Sequence, residues 1–142
     1  MATITQTQST SKGRRWAGRI LSGLAVTFLA WDGAIKLLAL TPVLEAFTRL
    51  GYPVGLAVGI GVLELLCVTA YVIPRTSVLG ALLLTGFLGG AISTHVRVED
   101  PFLTHTFFPI YVAALLWGGL LLRNSALRAF ARQTLGAATA GR

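Results

Sequence analysis

The chain has 142 residues, room for one domain, with 54% apolar residues, 12% charged residues and a net charge of +7. A soluble fold of that size cannot keep so much apolar surface from water, whereas lipid accepts apolar side chains all round a helical bundle. The basic residues flank apolar runs instead of forming a stripe on a polar face, which favours anionic lipid and topology control over nucleic acid.

In chain order, residues 1–15 read as a disordered cytoplasmic tail rich in Thr, Ser and Gln. A first span covers 16–38. Its basic lead-in resembles a signal peptide, but its length, Asp32, Lys36 and the lack of a small-x-small exit predict a retained helix. Residues 40–51 predict a short amphipathic helix at the membrane interface, capped by Thr41, started by Pro42 and ended by Gly51, with Leu40, Leu44, Phe47 and Leu50 on one face. The second span covers 53–73, up to Pro74. After the turn PRTS, Thr76 caps a third span over 77–96, and a polar loop leads to a fourth over 106–122. Each span is about 17–23 residues, enough for roughly 30 Å of hydrocarbon. The expectation is an all-α, four-helix transmembrane bundle over 16–123, followed by a basic cytoplasmic tail over 124–142.

Lys12, Arg14, Arg15, Arg19, Arg75, Arg123, Arg128, Arg132 and Arg142 fall on the N-terminal side of this topology, and only Lys36, Arg49 and Arg97 on the other. The positive-inside rule then places both termini in the cytoplasm, with a bacterial plasma membrane as the expected location. Gly55/Gly59 and Gly86/Gly90 form two GxxxG pairs. Tight helix packing is the ordinary reading; the functional alternative is that bare glycines leave room for a flat ligand.

Charges inside a span cost several kcal/mol unless paired, so each is a candidate for function. Asp32 and Lys36, four apart, share a helix face. Asp32 lies roughly 9 Å below the outer end of its span, and Lys36 is expected to snorkel to the headgroups. The pair reads either as an ion pair that pins the helix or as a proton acceptor with its charge partner. Glu64 falls near the bilayer midplane with no basic neighbour in its own helix. Thr27, Thr85 and Trp117 come out at the same depth, so a neutral Glu64 bonded within that polar layer is one reading and a proton-handling carboxyl the other. In the run STHVR at 93–97, His95 falls level with Asp32 and with Tyr111 of the fourth span. His95 is a candidate acid, base or donor to a polar head. Asp32, Glu64 and His95 are thus the catalytic candidates; Lys36, Arg97 and Tyr111 join them as candidate ligand contacts. His95 and His105 alone do not make a metal or haem site, since neither HExxH nor a Cys/His cluster accompanies them, and no metal is expected. No phosphate-binding loop, dinucleotide fingerprint or nucleophile elbow occurs. Cys67 is the only cysteine, which excludes an intrachain disulfide and a CxxC thiol pair.

The stretches WDGAIKL at 31–37, GYP at 51–53, LE at 63–64, PRTSVLGALLLTGFLGGAISTHVR at 74–97 and LWGGLLLR at 116–123 resemble the DoxX-like family of small four-helix membrane proteins. Together they cover most of 31–123. The resemblance implies that Asp32, Lys36, Glu64, His95 and Arg97 are the family's polar positions, and it carries over no catalytic role. It also implies a redox association by analogy, since members include a quinone-reducing membrane subunit and a subunit of a membrane-associated oxidoreductase assembly.

Three functions remain open at this stage. One is an accessory or quinone-interacting subunit of a membrane oxidoreductase system, with quinone the only cofactor suggested and an oxidoreductase, lipid and further copies of the chain as partners. Another is an intramembrane acid–base enzyme, an isomerase or cyclase, acting on a lipophilic substrate. The last is a non-catalytic membrane scaffold or a small transporter, transport ranking lowest because four short spans leave little room for alternating access. The second requires Asp32 and Glu64 to face one cavity; a solid interior favours the third.

Overall fold

A computed structural model describes residues 12–140. Residues 1–11 of the predicted N-terminal tail and residues 141–142, Arg142 among them, lie outside them. The described chain is all-α: α1 (Lys12–Leu37), α2 (Thr41–Arg49), α3 (Leu56–Val72), α4 (Ser77–Arg97), a π-helical turn (Phe102–Thr106), α5 (Phe108–Arg123) and α6 (Ser125–Ala140). By length and apolar composition, Lys12–Leu37, Ser77–Arg97 and Phe102–Arg123 can each cross a membrane; the apolar α3 is shorter, at 17 residues. Leucines such as Leu24, Leu66, Leu79 and Leu82 are more than half exposed, as expected of side chains that meet lipid instead of water.

Two boundaries and one cap differ from the sequence reading. α1 starts at Lys12, so part of the predicted tail belongs to the helix. Thr41 is the first helical residue of α2, and the capping position falls to Leu40, with no side-chain cap. Thr76 does precede α4, but its hydroxyl turns back to donate to the Ala70 carbonyl at 2.8 Å. Most of the segment read as a basic tail, Ser125–Ala140, is the helix α6. Its Arg128 donates to the carbonyls of Leu121 (3.0 Å) and Leu122 (2.6 Å), two of the orphan acceptors that a helix end leaves.

α1, α2 and α4 end alike. The amide of Leu40 reaches the Ile35 carbonyl and that of Ala39 reaches Lys36; Tyr52 and Gly51 repeat the pattern on Phe47 and Thr48, and Asp100 and Glu99 on His95 and Val96. These paired bonds require a left-handed residue just beyond the helix. Gly51 adopts it freely at φ 73°, whereas Ala39 (47°) and Glu99 (57°) do so against their side chains. The stop at Ala39 turns the chain sharply, so that α2 lies across the end of the bundle and not along it.

α1 packs on α3 and α5, and α4 packs on the same two helices. Sequential helices run antiparallel: Tyr71 of α3 touches Ser22 of α1, while Gly61 touches Gly33. The end that carries Arg19, Arg75 and Arg123 is closed by glycine contacts. A Cβ on Gly119 would lie 2.7 Å from the Ser22 amide nitrogen and 2.9 Å from the Gly18 carbonyl; one on Gly80 would lie 2.2 Å from the Tyr71 nitrogen. Between these contacts the Tyr71 hydroxyl donates to the Leu116 carbonyl at 2.8 Å and shares a 2.8 Å bond with Ser22 Oγ, tying α1, α3 and α5 together. Around it packs the main core, with Leu29, Leu84, Leu116 and Leu120 almost fully buried. The opposite end is built differently: α2 sets Val43 and Phe47 down on Ala57 over a gap between the spans.

Candidate functional site

The α1–α3 crossing positions the charged residues. Gly33 and Gly61 let the backbones approach so closely that a Cβ on Gly61 would lie 2.8 Å from Lys36 Cβ and 2.9 Å from the Gly33 carbonyl. Lys36 and Glu64 each lie one turn beyond their glycine, in antiparallel helices. Side chains tilt toward the N-terminus of their own helix, so the two converge. Lys36 Nζ donates to Glu64 Oε2 at 2.8 Å and also to Asp32 Oδ2. Glu64 is fully buried, the Lys36 side chain 13% exposed and that of Asp32 33%. Lys36 therefore does not reach out to the headgroups; it bridges two carboxylates and lies 5.9 Å from the Phe87 ring centroid. Glu64 Oε1 is buried with no hydrogen-bond partner among the described residues. An acceptor left bare in this way costs about 1–3 kcal/mol.

This trio lies on the wall of a cavity of about 670 Å³ beneath α2. Phe28, Leu63, Phe87, Phe108 and Val112 supply apolar wall, α2 contributes Val43 and Phe47 as a roof, and Thr94 and His95 line the α4 side. Phe28 and Phe108 meet edge to face at 5.0 Å. Both are 40% exposed and Leu63 is 53% exposed, so the cavity reaches the apolar outer surface of the bundle. Gly86 and Gly90 also line it, and neither has a heavy atom within 4 Å of where a Cβ would stand. Gly55 and Gly59 are equally open. The GxxxG pairs are therefore not the tight contacts of this bundle. Those fall at Gly18, Gly33, Gly61, Gly80 and Gly119, which are unremarkable as a sequence pattern.

A family model described as the DoxX-like family matches residues 20–119, most of the chain. The chain belongs to the DoxX-like family. Comparison with curated proteins and with solved structures yields no match.

The DoxX-like chain brings four of its predicted polar residues, Asp32, Lys36, Glu64 and His95, to this one cavity. The others lie elsewhere. Tyr111 is half exposed on the outer side of α5. Arg97 stands over the Tyr52 ring, 5.7 Å from its centroid, and donates to the Leu50 carbonyl, which holds the end of α2. Trp117 Nε1 donates to Thr85 Oγ1 at 2.9 Å, away from Glu64, and Thr27 is exposed on α1. His95 and His105 have ring centroids 5.9 Å apart.

Two residues that sequence reasoning did not single out complete the rim. Asp100, in the loop after α4, accepts from Arg49 Nη1 of α2 at 2.6 Å, and its other oxygen lies 2.6 Å from His95 Nδ1. The Arg49 hydrogen bond, then that of His95, holds the Asp100 carboxyl down to about 2, and Asp100 in turn raises Arg49. Tyr52 OH and Thr94 Oγ1, 2.9 Å apart, add a second tie between the α2 side and α4. The only signal for this latch in the sequence was that Arg49 and Asp100 fell on the same side of the predicted membrane.

Proposed function

We propose that this DoxX-like protein is a four-span membrane protein with both termini in the cytoplasm, which binds the head of a quinone in the cavity beneath α2 as an accessory subunit of a membrane oxidoreductase system. The observation that carries this reading is the buried, unpartnered Glu64 Oε1 beside the Lys36 ammonium on the wall of a largely apolar cavity. A quinone carbonyl accepts from Lys36, and a quinol hydroxyl donates to Glu64 Oε1, so both redox forms have a partner. The bare faces of Gly86 and Gly90 leave room for a flat ring, and the opening past Phe28, Leu63 and Phe108 suits entry of an isoprenoid tail from lipid. Reduction of a quinone takes up two electrons and two protons. The electrons come from the partner oxidoreductase, and the carboxyls of Asp32 and Glu64 are placed to pass protons. The orientation rests on the crowding of basic residues at the Arg19–Arg123 end.

Titration of the purified chain with a short-chain quinone tests the reading. Saturable binding that Gly86→Leu abolishes is expected. Quinone that partitions into detergent without saturating, or binds the variant equally well, contradicts it. A second reading, an acid–base enzyme on a lipophilic substrate, draws on the placement of Asp32 and Glu64 at one cavity with a cation between them. It predicts that a lipophilic epoxide or alkene is converted by the isolated chain and that Glu64→Gln stops the conversion.

A further inference from the structure

At the basic end lies a second cavity, of about 330 Å³, lined by Arg19, Pro74, Ser77, Arg123, Asn124 and Ser125 among others. The close α1–α5 crossing makes it: a Cβ on Gly18 would stand 2.9 Å from the Gly119 carbonyl and 3.1 Å from the Arg123 amide nitrogen, which brings Arg19 beside Arg123. Arg123 is held with its guanidinium 4.9 Å from the Tyr71 ring centroid, and Nη2 reaches the Tyr71 carbonyl at 3.4 Å. Its Nε is buried and has no hydrogen-bond partner among the described residues. α4 and α6 both begin at this cavity, at Ser77 and Ser125. The first amides of a helix lack intrahelical partners, and the helix dipole makes that end positive; in α6 the Leu127 amide is already taken, at 3.0 Å, by Asn124 Oδ1.

Nothing in the chain's own side chains neutralises this charge. Its five carboxylates are Asp32, Glu45, Glu64, Glu99 and Asp100, and among the described residues every ion pair lies at the opposite end or at the first cavity. The crowding extends to α6, where burial and then the charges of Arg14, Arg132 and Arg15 hold the Arg128 guanidinium below its ordinary value. Topology control asks only for basic residues near the interface. It does not ask for a cavity on which two arginines and two helix starts converge.

We infer that this cavity binds a phosphate-bearing anion, held between Arg19 and Arg123 and by the first amides of α4 and α6. The phosphate is either that of an anionic lipid headgroup or free in solution, and two measurements on the full chain separate these sources. In the first, the protein is released from nanodiscs of equal phosphatidylglycerol and phosphatidylcholine into native mass spectrometry. Preferential retention of one phosphatidylglycerol, reduced about tenfold in Arg19→Gln and unchanged in Arg132→Gln, identifies the lipid. In the second, thermal unfolding is followed in inorganic phosphate and in chloride of matched ionic strength. A stabilisation specific to phosphate and lost in Arg19→Gln identifies the free anion. Arg19 is exposed, so its replacement leaves the Tyr71 and Gly18–Gly119 contacts in place. The inference is overturned if neither phosphatidylglycerol nor phosphate is preferred, or if Arg132→Gln weakens binding as much as Arg19→Gln does.

Discussion

The two ends of this bundle use the same residue types to opposite effect. At the basic end, glycines sit where backbones touch: Gly18 on Gly119, and Gly80 on Tyr71. Inward of the cavity at Arg19 and Arg123, the interior there is leucine packed around one satisfied tyrosine. At the α2 end one crossing, Gly33 on Gly61, is equally close, but Gly86 and Gly90 of α4 face open space, and the polar residues are an ion-paired trio with one acceptor left over. What differs is whether each missing side chain is filled by a neighbouring helix, and that is where a membrane bundle chooses between a packed interior and a pocket.

Substitutions that exchange these characters test the comparison. The largest effect is expected from Lys36→Met, which leaves a fully buried Glu64 beside Asp32 without their shared cation. Breaking such a pair costs about 3–5 kcal/mol, with the lower end expected here because Asp32 remains partly exposed. A Lys36→Met/Glu64→Leu double variant should recover much of that loss in denaturant titration. Next is Gly80→Ala, whose Cβ has only the backbone of Ala70 and Tyr71 to meet; a loss of about 1–3 kcal/mol is expected. Gly90→Ala on the same helix is expected to cost nothing, and a matched loss in its thermal unfolding would erase the distinction between the halves. Tyr71→Phe removes the bonds to Leu116 and Ser22 and should cost about 1 kcal/mol.

The smallest effect concerns the latch over the cavity. Because Asp100 is held down to about 2 when folded, against an unfolded value near about 3.9, its stabilisation is complete above the unfolded value. It disappears as pH falls through the folded one. Protection of the α2 amides, taken relative to their intrinsic exchange rates, should therefore fall between about pH 4 and pH 2, and Asp100→Asn should show the lower protection already at neutral pH. Exchange in α2 that is the same in both proteins would mean that the latch does not hold the roof.

Much of this was legible in the sequence. The apolar runs, the prolines and Gly51 marked the helices, and the four-residue spacing of Asp32 and Lys36 marked a shared face. Glu64 stood out as a deep carboxyl, but its partner did not. Lys36 lies 28 positions away, and only the crossing at Gly33 and Gly61 brings the two together. Depth counting grouped Glu64 with Thr27, Thr85 and Trp117 because it assigns height along a helix and says nothing of rotation about it. Rotation likewise decides which glycines are contacts, which is why the regular GxxxG pairs turned out to face open space. In the final segment, Ala126, Leu127, Ala129 and Phe130 among the arginines are helix formers. Reading that stretch as tail gave its charge more weight than its propensity.

The central claim is that the α2-end cavity, and not the lipid-facing surface, receives a quinone. Photolabelling of the membrane-embedded chain with an azido-quinone, followed by peptide mapping, tests it most directly. Adducts on the Phe87–Thr94 stretch of α4 that disappear in Gly86→Leu are the expected result. Adducts spread over lipid-facing residues such as Leu66, Leu79 and Leu82, and unchanged in that variant, would contradict it.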